Sequence, residues 1–149
     1  MAETLGSLCD KLTVVKLKQY HADDPTRLES LALQENQLRD EINSYVSDAV
    51  SGVISPEKLI FSSNKVYKKD GNEISEVTGS IGQIVSELAK TNCDLWHEQE
   101  KVYEFEKVPM AEKDAVIKQL AKLNLIRTKC IDRIDSQFQM MVMKQSTKP

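Results

Sequence analysis

Arg127, Asn124, Asn92 and Glu35 are polar residues that fall on otherwise apolar helix faces. Lys16, Gln19, Gln34 and Gln99 share that property. Asn92 and Asn124 are about equally far from Pro109. An antiparallel turn there would bring them level, with Arg127 one turn on. A buried guanidinium needs a carboxylate, carbonyl oxygens or an anionic ligand, because an unpaired buried charge costs several kcal/mol. Three arrangements satisfy that demand. Arg127 could join an internal Arg–Glu–Asn network that fixes helix register, Glu35 being the acid. It could line a bundle-interior pocket for an anionic small molecule, or its long side chain could reach the surface.

The histidines are the other chemical candidates. At ~100° per residue, His21 and His97 lie opposite the apolar stripes of their helices. Each is therefore free to face solvent, another pair of helices or another subunit. Trp96, the single tryptophan, precedes His97 just as Tyr20 precedes His21. That repeated aromatic–His pair would suit a pseudo-twofold interface. Catalytic patterns are sparse. There is no Gly-rich phosphate loop, no zinc-type Cys/His spacing and no nucleophile elbow. No Glu precedes either His by three residues, as a di-metal bundle would require. Asp132-x-x-Asp135 and Glu73-x-x-Glu76 are acids paired three residues apart. No metal or cofactor is expected from this set.

Composition frames these residues. The chain has 149 residues, 29 % charged and 5 % aromatic, with few Gly and Pro. That mixture suits one helical domain and argues against a sandwich or barrel. A net charge of −3 argues against nucleic acid and anionic membranes as partners. No apolar run approaches the roughly 20 residues of a membrane helix, and no signal peptide is visible. Cys9, Cys93 and Cys130 are odd in number and widely spaced. Free thiols of a reducing cytoplasm fit them better than disulfides.

The elements that must position the candidates follow from periodicity. Helix 1 is predicted from about Thr4 to His21, with Leu5, Leu8, Leu12 and Val15 on one stripe and Thr4 as N-cap. Helix 2 should run from Pro25 to Val50, with Asp24 as N-cap and Gly52 as its stop. Its seam is Leu28, Leu31, Leu38, Ile42, Tyr45 and Ala49. Helix 3 should begin near Thr78–Ile81 and end near Glu106, and helix 4 should run from Pro109 to about Met143. The expected stripe of helix 4 is Val116, Leu120, Leu123, Ile131, Ile134, Phe138 and Met141. Residues 53–79 form an irregular connector, with Ser55-Pro56-Glu57 suited to a short helical turn. Lys58, Lys65, Lys68 and Lys69 give that connector a basic bias, with Phe61 and Tyr67 interleaved.

Leu5–His21 repeats in Ile81–His97, matching Gly6 to Gly82, Leu12 to Leu88 and His21 to His97. The expected fold is therefore all-α. Two antiparallel helical hairpins, about 4–52 and 80–143, form a four-helix bundle by internal duplication. The shared spelling of Asn36-x-x-Arg39 and Asn124-x-x-Arg127 is a coincidence by the same measure, since the two apolar registers align one residue away.

Leu95-Trp96-His97-Glu98, followed by Asn124-x-x-Arg127 and Ile131-Asp132, resembles an uncharacterised bacterial family of small helical proteins. Its members carry a Leu-Trp-His-x-Glu segment and then an Asn-x-x-Arg helix. The likeness covers about the second half, and the family's second acid is shifted here, Gln99 preceding Glu100. The resemblance implies that Trp96, His97, Asn124 and Arg127 act as a set. It also points toward surface-glycan biosynthesis and so toward sugar-nucleotide or sugar-phosphate ligands.

The leading expectation is a non-enzymatic protein that holds an anionic, phosphorylated small molecule, nucleotide or sugar phosphate. Arg127, Asn124, Asn92, Glu35, Lys16, Trp96 and His97 would form its site. The rival is an assembly protein whose faces mediate homo-oligomerisation or partner binding, favoured by outward Val14, Leu17, Leu33, Leu125 and Ile126. A metal-dependent nucleotide hydrolase is the third class.

Overall fold

Asp24 and Pro25 explain where the first two helices part. Asp24 Oδ1 accepts from Thr26 N–H at 3.2 Å, and Pro25 occupies the first turn, where its missing N–H costs nothing. In the computed structural model, which describes residues 2–61 and 76–146, α1 spans Leu5–His21 and α2 spans Pro25–Ser51. Thr4 caps α1 in a capping box. Ser7 N–H donates to Thr4 Oγ1 at 3.2 Å and Thr4 N–H donates to Ser7 Oγ at 2.8 Å. Gly52 ends α2 in the left-handed region, at φ 86°. A 3-10 turn, Pro56–Lys58, forms where Ser-Pro-Glu suggested one. Lys65, Tyr67, Lys68, Lys69 and Glu73 lie outside the described residues.

The third helix, α3, spans Ile81–Tyr103 and opens on a second capping box between Ser80 and Gln83. It stops three residues short of the expected Glu106. A 3-10 turn over Phe105–Lys107 replaces its last turn, and Val108 is extended, as the residue before a proline must be. The long α4 then runs over Met110–Ser146, past the expected end at Met143. Every regular element among the described residues is helical, so the chain is an all-α bundle.

Packing is uneven. The most extensive contacts join α3 to α4 and α1 to α2, and α1 also packs against both α3 and α4. By contrast α2 barely touches α4. The main core gathers Leu5, Ala49, Leu59, Ile84, Leu88, Cys130, Ile134, Phe138 and Val142. A smaller cluster of Leu8, Val15, Leu31 and Leu38 fills the α1–α2 contact, and Ile42 and Tyr45 touch both. Burying one such Leu or Ile side chain contributes about 1.5–3 kcal/mol. The expected stripes hold in their middles and fray at their ends. Leu28 and Met141 are exposed, and Val142 takes the buried position beside Phe138. Among the described residues no helix is long and apolar enough to cross a membrane.

Candidate functional site

The polar core is centred on Asp10, a residue of α1 with 5 % of its surface exposed. Arg127 of α4 grips it with both arms of the guanidinium fork. Its Nε donates to Asp10 Oδ1 at 2.8 Å and its Nη2 to Oδ2 at 2.5 Å. Asn92 of α3, also buried, donates through Nδ2 to Asp10 Oδ1 at 2.9 Å and to Thr13 Oγ1 at 2.8 Å. The Thr13 hydroxyl in turn donates to the Asp10 carbonyl at 2.8 Å. Three helices are thus tied by one carboxylate. Bidentate, charge-assisted pairing of this kind is the strong form of a protein hydrogen bond. The Asp10 hydrogen bond also holds the Arg127 guanidinium above its ordinary pKa, against the opposing effect of partial burial.

Several sequence expectations change at this point. The acid that meets Arg127 is Asp10, not Glu35. Glu35 lies between α2 and α1, accepting from Gln19 Nε2 at 2.8 Å and from Lys16 Nζ at 3.1 Å. Those donors, Gln19 first, hold its carboxyl below the usual carboxylate range. Asn124 does not face Asn92. It is exposed and donates to the Leu120 carbonyl of its own helix at 3.1 Å. Arg127 and Asn92 therefore come together, while Asn124, Glu35 and Lys16 stay apart from them. Asp10 escaped the sequence reading because Leu8, Leu12 and Val15 of the apolar stripe mark the face toward α2. A helix that contacts three neighbours buries a second face, and Asp10 and Thr13 lie on it, three residues apart.

Trp96 and His97 belong to another constellation, at the C-terminal ends of α1 and α3. The His21 ring stacks on the Trp96 indole, with centroids 4.7 Å apart and planes 6° from parallel. The Tyr20 and His97 rings meet His21 edge-on, at 5.2 Å and 6.2 Å. Trp96 Nε1–H donates to Glu100 Oε1 at 2.8 Å, and Glu100 Oε2 is 3.9 Å from His97 Nδ1. Tyr103 lies two turns along the same side of α3 as Trp96. Tyr20 is 85 % exposed and Tyr103 79 %. The outward placement of both histidines agrees with the wheel geometry, and across the gap between α1 and α3 His21 meets both Trp96 and His97.

A third group lies at the N-terminus of α1. The buried Asp135 of α4 accepts from Gly6 N–H at 2.7 Å. Burial pushes its carboxyl pKa up to about 6, although the Gly6 N–H and the Thr4 side chain favour the charged form. Burial, then Asp135 and Asp10, raises the Cys9 thiol, and burial pushes Cys130 to about 11. Protonated thiols are poor nucleophiles, so neither cysteine is activated for covalent chemistry. Among the described residues no three or more His, Cys, Asp or Glu side chains are grouped to hold a metal ion. The chain matches no known protein-family model, no curated protein and no solved structure.

Proposed function

We propose that this protein is a non-enzymatic, partner-binding helical scaffold whose recognition surface is the aromatic–histidine end of α1 and α3. One observation carries the reading. The chain has ten Phe, Tyr, Trp and His rings. Four of them, Tyr20, His21, Trp96 and His97, are in ring contact at this end, Tyr103 follows two turns further along α3, and both tyrosines are largely exposed. Exposed Trp and Tyr are the side chains from which interface hot spots are built. The interior offers less, since the Arg127 fork is spent on Asp10.

The duplicated two-hairpin architecture belongs to the same proposal. Its support is that His21 and His97, equivalent positions of the repeat, face each other with ring centroids 6.2 Å apart. Homo-oligomerisation through the same surface and a cytoplasmic setting remain part of the reading. The test is a photo-crosslinking amino acid at position 103 in living cells, followed by reconstitution of the adduct with purified proteins. An adduct formed from position 103, lost with Trp96→Ala and not formed from exposed position 36 on α2, is expected. No adduct at 103, or equal adducts from both positions, overturns the proposal.

A second reading keeps the anionic small molecule. Its support is that the Arg127 side chain, though paired, retains 37 % exposure. Nucleotides and sugar phosphates would then raise the melting temperature in proportion to occupancy. An unchanged melting temperature with every phosphorylated compound at millimolar concentration removes that reading.

A further inference from the structure

We infer that the aromatic–histidine surface is a receptor for a basic side chain, an arginine or lysine presented by a partner polypeptide. This inference rests on the partner-binding reading above and adds the chemistry of the partner. Glu100 is the deciding residue. Two neighbouring acids of the same stretch each hold a lysine, Glu98 with Lys101 at 2.9 Å and Glu104 with Lys107 at 3.0 Å. Among the described residues Glu100 has no lysine or arginine partner. Its contacts are the Trp96 indole N–H and the edge of His97. The carboxylate is 57 % exposed and lies beside the half-buried Trp96 indole and the exposed His97 ring.

That arrangement is what a cation requires. A carboxylate supplies the opposite charge, and the faces of Trp and Tyr attract a cation through the ring quadrupole. The indole N–H that donates to Glu100 fixes the carboxylate without neutralising it. The His21 stack fixes the indole in turn, so the carboxylate and the Trp96 ring are positioned before anything binds. Pre-positioning removes part of the ordering cost of association. Asp23 and Asp24 follow His21 directly and add negative charge at the same end. An anion at this surface would instead meet the exposed Glu100 carboxylate with like charge.

Trp96 provides its own readout, being the only tryptophan of the chain. The experiment titrates the full-length protein with the short peptides acetyl-Gly-Arg-Gly-Arg-Gly-amide and acetyl-Gly-Glu-Gly-Glu-Gly-amide, and with maltotriose, following Trp96 emission. The expected result is a saturable emission change with the arginine peptide alone. It should weaken at least fivefold in Glu100→Gln, weaken in Tyr20→Ala, and decline with added salt. A flat titration with the arginine peptide to 10 mM overturns the inference, as does an equal response of the Glu100→Gln protein. A saturable response to the acidic peptide or to maltotriose also overturns it, assigning the surface to an anion or a glycan. Glu100 is exposed, so Glu100→Gln should fold normally, and an unchanged melting curve verifies that. An adduct from position 103 together with a flat arginine titration would leave the scaffold reading standing and remove only the cationic partner.

Discussion

Asp135 and Asp10 are both buried carboxylates that bind other helices, and they are neutralised in different ways. Asp10 has a guanidinium across from it. Asp135 has the Gly6 N–H and the Thr4 side chain, which offset only part of the cost of burying its charge. Its pKa rises from the ordinary 3.8 to about 6, so the folded protein holds this proton more tightly than the unfolded chain. The stabilisation is complete below pH 3.8 and is lost as the pH rises through about 6. The size is roughly 1–3 kcal/mol, taking ~1.4 kcal/mol for each pH unit of displacement. Asp135→Asn keeps an oxygen for Gly6 N–H and removes the charge. We expect it to raise the melting temperature at pH 7.5 by roughly 3–8 °C and to change it little at pH 4. Melting curves of both proteins across that range check this, and parallel pH profiles would refute it.

At the scale of elements, α1 and α3 share Gly6/Gly82, Leu12/Leu88 and His21/His97 in sequence and differ in packing. A Cβ at Gly6 would lie 2.5 Å from the Ile131 carbonyl oxygen and 2.9 Å from Asp135 Oδ1. At Gly82, the matched residue, nothing lies within 4 Å. Gly6→Ala should therefore force α1 away from α4 backbone and cost about 2–4 kcal/mol, in the range of overpacked cores and lost buried hydrogen bonds. Gly82→Ala should stabilise by about 0.5 kcal/mol through helix propensity alone. Urea unfolding of the two variants decides it, and equal effects would show that the two helices are packed alike. The same contrast marks how much was legible in the sequence. Caps such as Thr4, Asp24 and Gly52 are local chemistry and can be read directly. Stripe centres such as Leu8, Leu123 and Ile134 follow from periodicity. Asp10 could not be found that way, because its burial depends on α1 having three neighbours. Nor could Asn124 be placed, since a level position across a turn does not say which face of α4 meets α3. Trp96 and His97 were legible as candidates through their repeat, but the stack on His21 is a tertiary fact.

At the scale of the whole molecule, α1 holds the bundle together. It runs antiparallel to α4, since Gly6 meets Asp135 and Asp10 meets Arg127. It runs in the same direction as α3, since Asp10 and Thr13 meet Asn92 and His21 meets Trp96. The α3–α4 pair is the most extensively packed, yet without α1 it exposes Arg127, Asn92 and Asp135 with no partner from that helix. It also loses Leu5 from its core. A chain of two self-sufficient hairpins would behave otherwise, each half closing its own core or pairing with a copy of itself. Dividing the chain between residues 68 and 69 separates the two cases. The fragment 69–149 should show a broad, weakly cooperative melt and solvent-like Trp96 emission. Adding the fragment 1–68 should restore a cooperative transition and the emission of the intact protein, because His21 and Asp10 return with it. Circular dichroism and fluorescence of the separate and mixed fragments measure this. A fragment 69–149 that melts as sharply as the whole chain would place the unit of stability in the second hairpin and make α1 an accessory to it.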